Sequence, residues 1–169
     1  VRDKDGLSAA LLMLDLLAHC KAEGRTLMQH LESLWRRYGY ALSDQKSVRF
    51  AGSDGPEQMA GIMQRLRDNP PQSIGGLSVN QVRDALNNTS RNTTTGDVNA
   101  LGLPKSNLLA FDLEQNCRVL ARPSGTEPKI KFYFEVCMTP DSTESIDKTA
   151  HRAQAQLDKL KEDLLAHAL

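Results

Sequence analysis

Between Lys129 and Val136, the residues Ile130, Phe132, Phe134 and Val136 alternate with Lys129, Lys131, Tyr133 and Glu135. A period of two sends successive side chains to opposite faces of a strand, so this segment has one face for a core and another that carries both lysines. Such a strand cannot stand alone, because its apolar face needs a covering layer. The C-terminal segment supplies one. Ser142 or Thr143 can cap a helix there, Glu144 and Asp147 suit its positive N-terminus, and Ile146, Ala150, Ala153, Leu157, Leu160 and Leu164 form a long stripe. A sheet covered by a helix is the expected architecture.

The preceding segments extend that sheet. Leu108 to Leu113 and Cys117 to Arg122 read as two strands around Glu114-Gln115-Asn116, a hairpin that delivers Arg122 to a strand end. Ser47-Val48-Arg49-Phe50 reads as a short strand, and Ser53-Asp54-Gly55-Pro56-Glu57 opens a helix in which Asp54 and Glu57 can cap reciprocally. Met59, Ile62, Met63 and Leu66 make its apolar stripe, and Asn69-Pro70-Pro71 forbids continuation. Ile74 to Leu86 fits a strand or a short helix. Asn87 to Pro104 is rich in Asn, Thr and Gly and poor in large apolar residues, so a loop is expected. Strand, helix, antiparallel hairpin, strand and helix in this order give an α+β domain with a two-layer antiparallel sheet and helices on one face.

A helical pair precedes it. Leu7, Leu11, Leu14 and Ala18 recur at helical spacing, while Leu12, Leu16 and Leu17 widen the apolar face beyond that of a surface helix. Gly24 stops this helix, and Thr26 with Gln29 has capping-box spacing for a second, whose Leu27, Leu31, Leu34, Trp35 and Tyr38 are expected to face a core. Self-association or the following domain could cover the first helix.

Composition narrows the partners. Lys+Arg and Asp+Glu both total 21 in 169 residues, so no global field favours nucleic acid or an anionic membrane, and an anion must be met by a local cluster. The longest apolar run, Ala9 to Leu14, is far too short to span a bilayer. Cys20, Cys117 and Cys137 are scattered without Cys-x-x-Cys spacing, which suits reduced thiols in the cytoplasm. His19, His30, His151 and His167 lack a His-Glu-x-x-His or triad context, and structural or solvated roles are expected.

The local cluster is Arg122-Pro123-Ser124-Gly125-Thr126-Glu127-Pro128-Lys129. A guanidinium can bind phosphate bidentately, the Ser and Thr hydroxyls add donors, and glycine lets successive backbone N–H groups converge on an anion. The same residues also suit an ordinary decorated β-turn, so spacing alone leaves both readings open. The octet followed by Ile130-Lys131-Phe132-Tyr133 resembles the phosphate-binding loop of the α-D-phosphohexomutase superfamily, the phosphoglucomutases and phosphomannomutases. Asp3-Lys4-Asp5-Gly6-Leu7-Ser8-Ala9-Ala10 looks like the segment that follows the sugar-recognition loop in phosphopentomutase-like members, and Trp35-Arg36-Arg37-Tyr38-Gly39-Tyr40 resembles the end of their third domain.

The resemblance implies that residues 1–40 are the end of a third domain and 41–169 a fourth, with a fold similar to the TATA-box-binding-protein-like class. It implies a parent isomerase that moves a phosphoryl group between C1 and C6 of a hexose, or C1 and C5 of a pentose, through a sugar bisphosphate and with Mg²⁺. Arg122, Ser124, Gly125 and Thr126 would bind the phosphate that is not transferred, with Lys131 as a further basic contact and Lys129 as a weaker one. Glu127 would repel an anion if it pointed inward, so it is expected outward or bonded to Arg or Lys. The family's phosphoserine loop, Asp-Gly-Asp-x-Asp metal loop and Gly-Glu-Glu-Ser sugar loop do not occur here, and the chain starts at Val1. An excised C-terminal portion, inactive alone and partnered by the parent's other domains and a phosphorylated sugar, is expected. A stand-alone anion-binding interaction module is the alternative.

Overall fold

A computed structural model describes residues 4–169; Asp3, at the head of the Asp3–Ala10 segment, lies outside the described residues. Two helices come first, α1 (Gly6–Ala22) and α2 (Leu27–Tyr38), then β1 (Tyr40–Arg49) and α3 (Gly55–Asp68). β2 (Ser73–Ile74), β3 (Leu77–Asp84), β4 (Thr89–Asn92), β5 (Val98–Ala100), β6 (Leu109–Leu113), β7 (Arg118–Pro123), β8 (Lys129–Met138) and α4 (Ile146–Ala168) follow. The antiparallel sheet runs β1-β8-β7-β6-β3-β4-β5, with β2 paired to β3 off that path.

β8 alternates as its sequence requires. Ile130, Phe132 and Phe134 are fully buried, while Lys131 and Tyr133 sit half-buried on the opposite face. Phe111, Val119 and Ala121 from β6 and β7 meet them, and α3 and α4 close the layer through Met63, Leu66, Leu157, Leu160 and Leu164. Burying each such side chain is worth about 1.5–3 kcal/mol, so this one-sided core dominates the fold's stability and leaves the far face of the sheet free for other work. The β6–β7 hairpin turns through the single 3-10 turn Glu114–Asn116, in which Gln115 and Asn116 both take the left-handed φ of +56°.

Polar contacts dock α4 besides its stripe. At the β2–β3 turn, Gly75 N–H donates to Asp163 Oδ2 (2.7 Å), and Gln156 Nε2 donates to Gly75 O (2.9 Å). Gly75 has φ +58°, and an added Cβ would lie 2.9 Å from the Leu160 backbone nitrogen, so glycine alone fits this close approach. At the sheet edge, Lys161 Nζ pairs with Asp44 of β1. This contact holds the Asp44 carboxyl below its ordinary range and raises the Lys161 ammonium.

Several local expectations give way. The polar segment from Asn87 is not a loop throughout: Thr89–Asn92 pair with Gln81–Asp84, and Val98–Ala100 pair with Thr89–Arg91. Its turn is organised by Asn92, whose Oδ1 accepts from Thr94 N (2.9 Å) and Thr95 N (3.0 Å), so ladder bonds and an Asn turn replace apolar burial. Ile74–Leu86 holds no helix: Ile74 ends β2, Gly75-Gly76 turns, Leu77–Asp84 is β3 and Ala85-Leu86 opens the next turn, while the short strand expected at Ser47 is the end of the longer β1. α4 is capped by Ser145, whose Oγ accepts from Lys148 N (3.3 Å), because a turn with Glu144 N–H on Asp141 O (3.1 Å) keeps Ser142 and Thr143 out of the helix. Buried Thr149 then takes the stripe position expected of Ala150. Asp54 precedes α3 without capping it and instead accepts from Gln58 Nε2 (2.5 Å).

The helical pair is the least covered part. α1 is capped by Asp5, and the Thr26–Gln29 capping box opens α2. Leu7, Leu11, Leu12 and Leu14 are exposed, and of α1 only Cys20 is buried. α2 buries no residue fully: Leu34 and Tyr38 are exposed, although Trp35 packs its ring 4.9 Å from that of Tyr40.

Candidate functional site

The β7–β8 connection places the candidate residues. Arg122 and Lys131 are direct cross-strand partners on the face turned away from α3 and α4, and Pro123 pairs with Ile130 to close the bend. Within it Ser124 N–H donates to Lys129 O (2.9 Å), and Lys129 N–H donates to Glu127 O (2.8 Å). The Gly125 and Glu127 amides carry no hydrogen bond among the described residues, and Thr126 N lies 3.5 Å from Ser124 Oγ. The bend therefore presents backbone donors that the protein does not use itself.

Arg122, Ser124, Gly125, Thr126 and Lys131 border one open cavity of about 270 Å³. No carboxylate borders it. Neither cation has a hydrogen bond or ion pair among the described residues, so both charges are available to a ligand. Glu127 faces the other way. Its carboxylate accepts from Lys129 Nζ (2.6 Å) and lies 3.9 Å from Arg49 Nη2, and these cations, Lys129 foremost, hold it below the usual carboxylate range.

That pairing separates Lys129 from the other predicted residues. Lys129 borders a second cavity of about 300 Å³ with Arg49, Phe50, Ala51, Glu127 and Pro128, and its ammonium is committed to Glu127. The structure thus brings together five of the six candidates and sets Lys129 apart. It adds Tyr133, which borders the first cavity two residues beyond Lys131. The signal was in the alternation of β8, which put Tyr133 on the lysine face.

The remaining reactive side chains gather nowhere. Among the described residues no group of three or more His, Cys, Asp or Glu could hold a metal ion. His19 pairs with Glu23 at 3.2 Å, and His167 Nε2 lies 3.3 Å from Asn69 O. Cys20, Cys117 and Cys137 are free thiols. No described helix is long and apolar enough to cross a membrane.

Residues 48–153 match the family model for the phosphoglucomutase/phosphomannomutase C-terminal domain, which covers the whole sheet apart from most of β1. The chain belongs to that family. A probable phosphomannomutase from Haemophilus influenzae is 37% identical over 94% of this chain and 28% of its own length. A phosphoglucomutase from Staphylococcus aureus is 34% identical over 80% of this chain and 24% of its own length. The chain thus spans about a quarter of these phosphomutases. The open form of the Paramecium phosphoglucomutase parafusin shares the fold over 95% of this chain and 28% of its own, with a TM-score of 0.54 and 20% identity. In agreement with the resemblance drawn from the octet, the chain matches the C-terminal part of the phosphohexomutase family.

Proposed function

We propose that this chain is the phosphate-anchoring domain of a phosphosugar mutase. Arg122, Ser124, Gly125, Thr126 and Lys131 grip the phosphate that is not being transferred, while a phosphoryl group moves between C1 and C6, or C1 and C5, of the sugar. The observation that carries this reading is the cavity with two uncommitted cations, three hydroxyl side chains and unused backbone amides, and no acid on its wall. Arg122 supplies a planar fork and Lys131 a point charge, so together they meet a doubly charged oxyanion from two strands.

A remote phosphate held this way contributes binding energy that orients the reacting end of the sugar without entering the chemistry. A bisphosphate intermediate can be held by either of its phosphates, because the anchor recognises the oxyanion rather than the sugar carbon that bears it. Mg²⁺ would assist phosphoryl transfer, but the described residues offer it no ligand set, so in this reading its ligands and the phosphoserine lie in other domains of a cytoplasmic parent. Residues 1–40 then belong to a third domain, and the exposed leucines of α1 are a surface that domain would cover.

Turnover tests the reading. The intact protein, supplied with Mg²⁺ and a hexose bisphosphate, converts glucose 1-phosphate to glucose 6-phosphate or acts on the mannose or pentose equivalent. Residues 1–169 alone bind phosphosugar without converting it. Isomerisation by the isolated segment, or intact protein inert toward all three sugars, would overturn it.

A further inference from the structure

Beyond the phosphate cavity, the uncovered face of the sheet is built in three rows. The first is the cationic pair, Arg122 opposite Lys131. The next is Leu120 opposite Tyr133, both half-buried, with Ala110 beyond Leu120 on β6 and Gln45 beyond Tyr133 on β1. The third row carries charge that is already spent. Asp112 Oδ1 and Oδ2 lie 2.6 Å from Arg118 Nε and Arg83 Nη2, and Arg118 Nη1 lies 4.0 Å from Glu135 Oε2, two cations against two anions.

The centre of the middle row, Leu120 and Tyr133, is therefore an apolar and aromatic patch flanked by Gln45 and, past Ala110, by Arg83, with free positive charge on one side and a neutralised polar network on the other. Side chains two residues apart on one face of a strand are about 6.8 Å apart, so Tyr133 stands one small-ring offset from Lys131. The cavity agrees. Tyr133 borders the same open cavity of about 270 Å³ as Arg122 and Lys131. Its hydroxyl has no hydrogen-bond partner among the described residues.

We propose that Tyr133, backed by Leu120, is the platform on which the sugar ring of the ligand rests while Arg122 and Lys131 hold its phosphate. The proposal rests on the phosphate-anchoring reading and deepens it. Of these three rows an anionic end goes to the first, whose cations have no partner among the described residues. The C–H face of the ring covers Tyr133 and Leu120, where an aromatic ring offers apolar contact at little entropic cost, and the phenol hydroxyl is a donor or acceptor for a sugar hydroxyl. The domain then senses the sugar as well as its phosphate, and Tyr133 determines specificity for a phosphorylated ring over bare phosphate.

The test is calorimetric titration of the intact protein with two probes, glucose 6-phosphate and inorganic phosphate. Tyr133→Ala weakens glucose 6-phosphate by about three- to tenfold and leaves inorganic phosphate unchanged, while Tyr133→Phe recovers most of the loss. Tyr133→Leu keeps apolar bulk on the strand without the aromatic face; it gives the same selective loss and decides the matter should the alanine variant fail to fold. Equal weakening of both probes, or undiminished glucose 6-phosphate binding, overturns the platform and leaves the phosphate anchor standing. If the unsubstituted protein binds neither probe, the anchor itself falls and the platform with it.

Discussion

Replacing Arg122 separates binding from folding unusually cleanly. The side chain is exposed at the end of β7 and makes no hydrogen bond or ion pair among the described residues, so its loss removes nothing the fold uses. Surface substitutions of this kind stay within about 0.5 kcal/mol, and for a chain of this size 1 kcal/mol moves Tm by about 2–4 °C, so Arg122→Ala shifts Tm by less than about 2 °C. Binding behaves differently. A hydrogen bond to a charged group is worth about 1.5–3 kcal/mol, and at about 1.4 kcal/mol per decade Arg122→Ala weakens phosphate and phosphosugar binding about 10- to 150-fold. Arg122→Lys keeps the charge and loses the fork, so a loss of about tenfold remains. Titration calorimetry on each variant gives the affinities, and thermal unfolding gives Tm. An unchanged affinity would remove Arg122 from the anchor, and an affinity loss that tracks a fall of many degrees in Tm would make Arg122 structural.

Other perturbations probe the frame that carries the site. Lys129→Met leaves Glu127 without its principal cation, so the Glu127 carboxyl, followed by carbon-detected NMR titration, moves back up toward its ordinary value near about 4.3. Because that carboxyl is depressed in the folded state, its stabilising contribution is present above its unfolded value and disappears as pH falls through the folded one; a carboxyl that titrates identically in both proteins refutes the clasp. Phe132→Ala empties a fully buried position between β7 and the helices and costs about 3–5 kcal/mol in denaturant unfolding, with no such cost refuting its place in the core. Gly75→Ala forces a side chain to φ +58° against the Leu160 backbone and costs more than about 1 kcal/mol by the same assay, whereas a neutral result would mean α4 docks differently.

Where burial and periodicity coincide, the fold was legible residue by residue. β8, the Met59–Leu66 stripe of α3 and the Leu157–Leu164 stripe of α4 follow from one-dimensional patterns, because each element meets the core on one side only, and the Glu114-Gln115-Asn116 turn follows from its break in the strand pattern. β4 and β5 were not legible. Their Thr, Ser, Arg and Asn side chains bury little, and what orders them is pairing with β3, a contact between distant parts of the chain. The start of α4 is hidden from local sequence for a related reason. Glu144, buried by Thr149 Oγ1 (3.1 Å) and Arg152 Nη1 (2.8 Å), draws its neighbours into a turn that local capping propensity does not reveal.

The candidate site divides in the same way. The octet from Arg122 names its own chemistry, since a guanidinium, two hydroxyls and a glycine in one bend are suited to an oxyanion whatever surrounds them. Pairing of Arg122 with Lys131, diversion of Lys129 to Glu127 and the arrival of Tyr133 on the cavity wall needed the sheet, because register and ion pairing are decided between strands. Local sequence determines which groups a bend can offer. Tertiary packing decides which of them are left free, since a charge that finds a partner inside the protein is no longer available to a ligand.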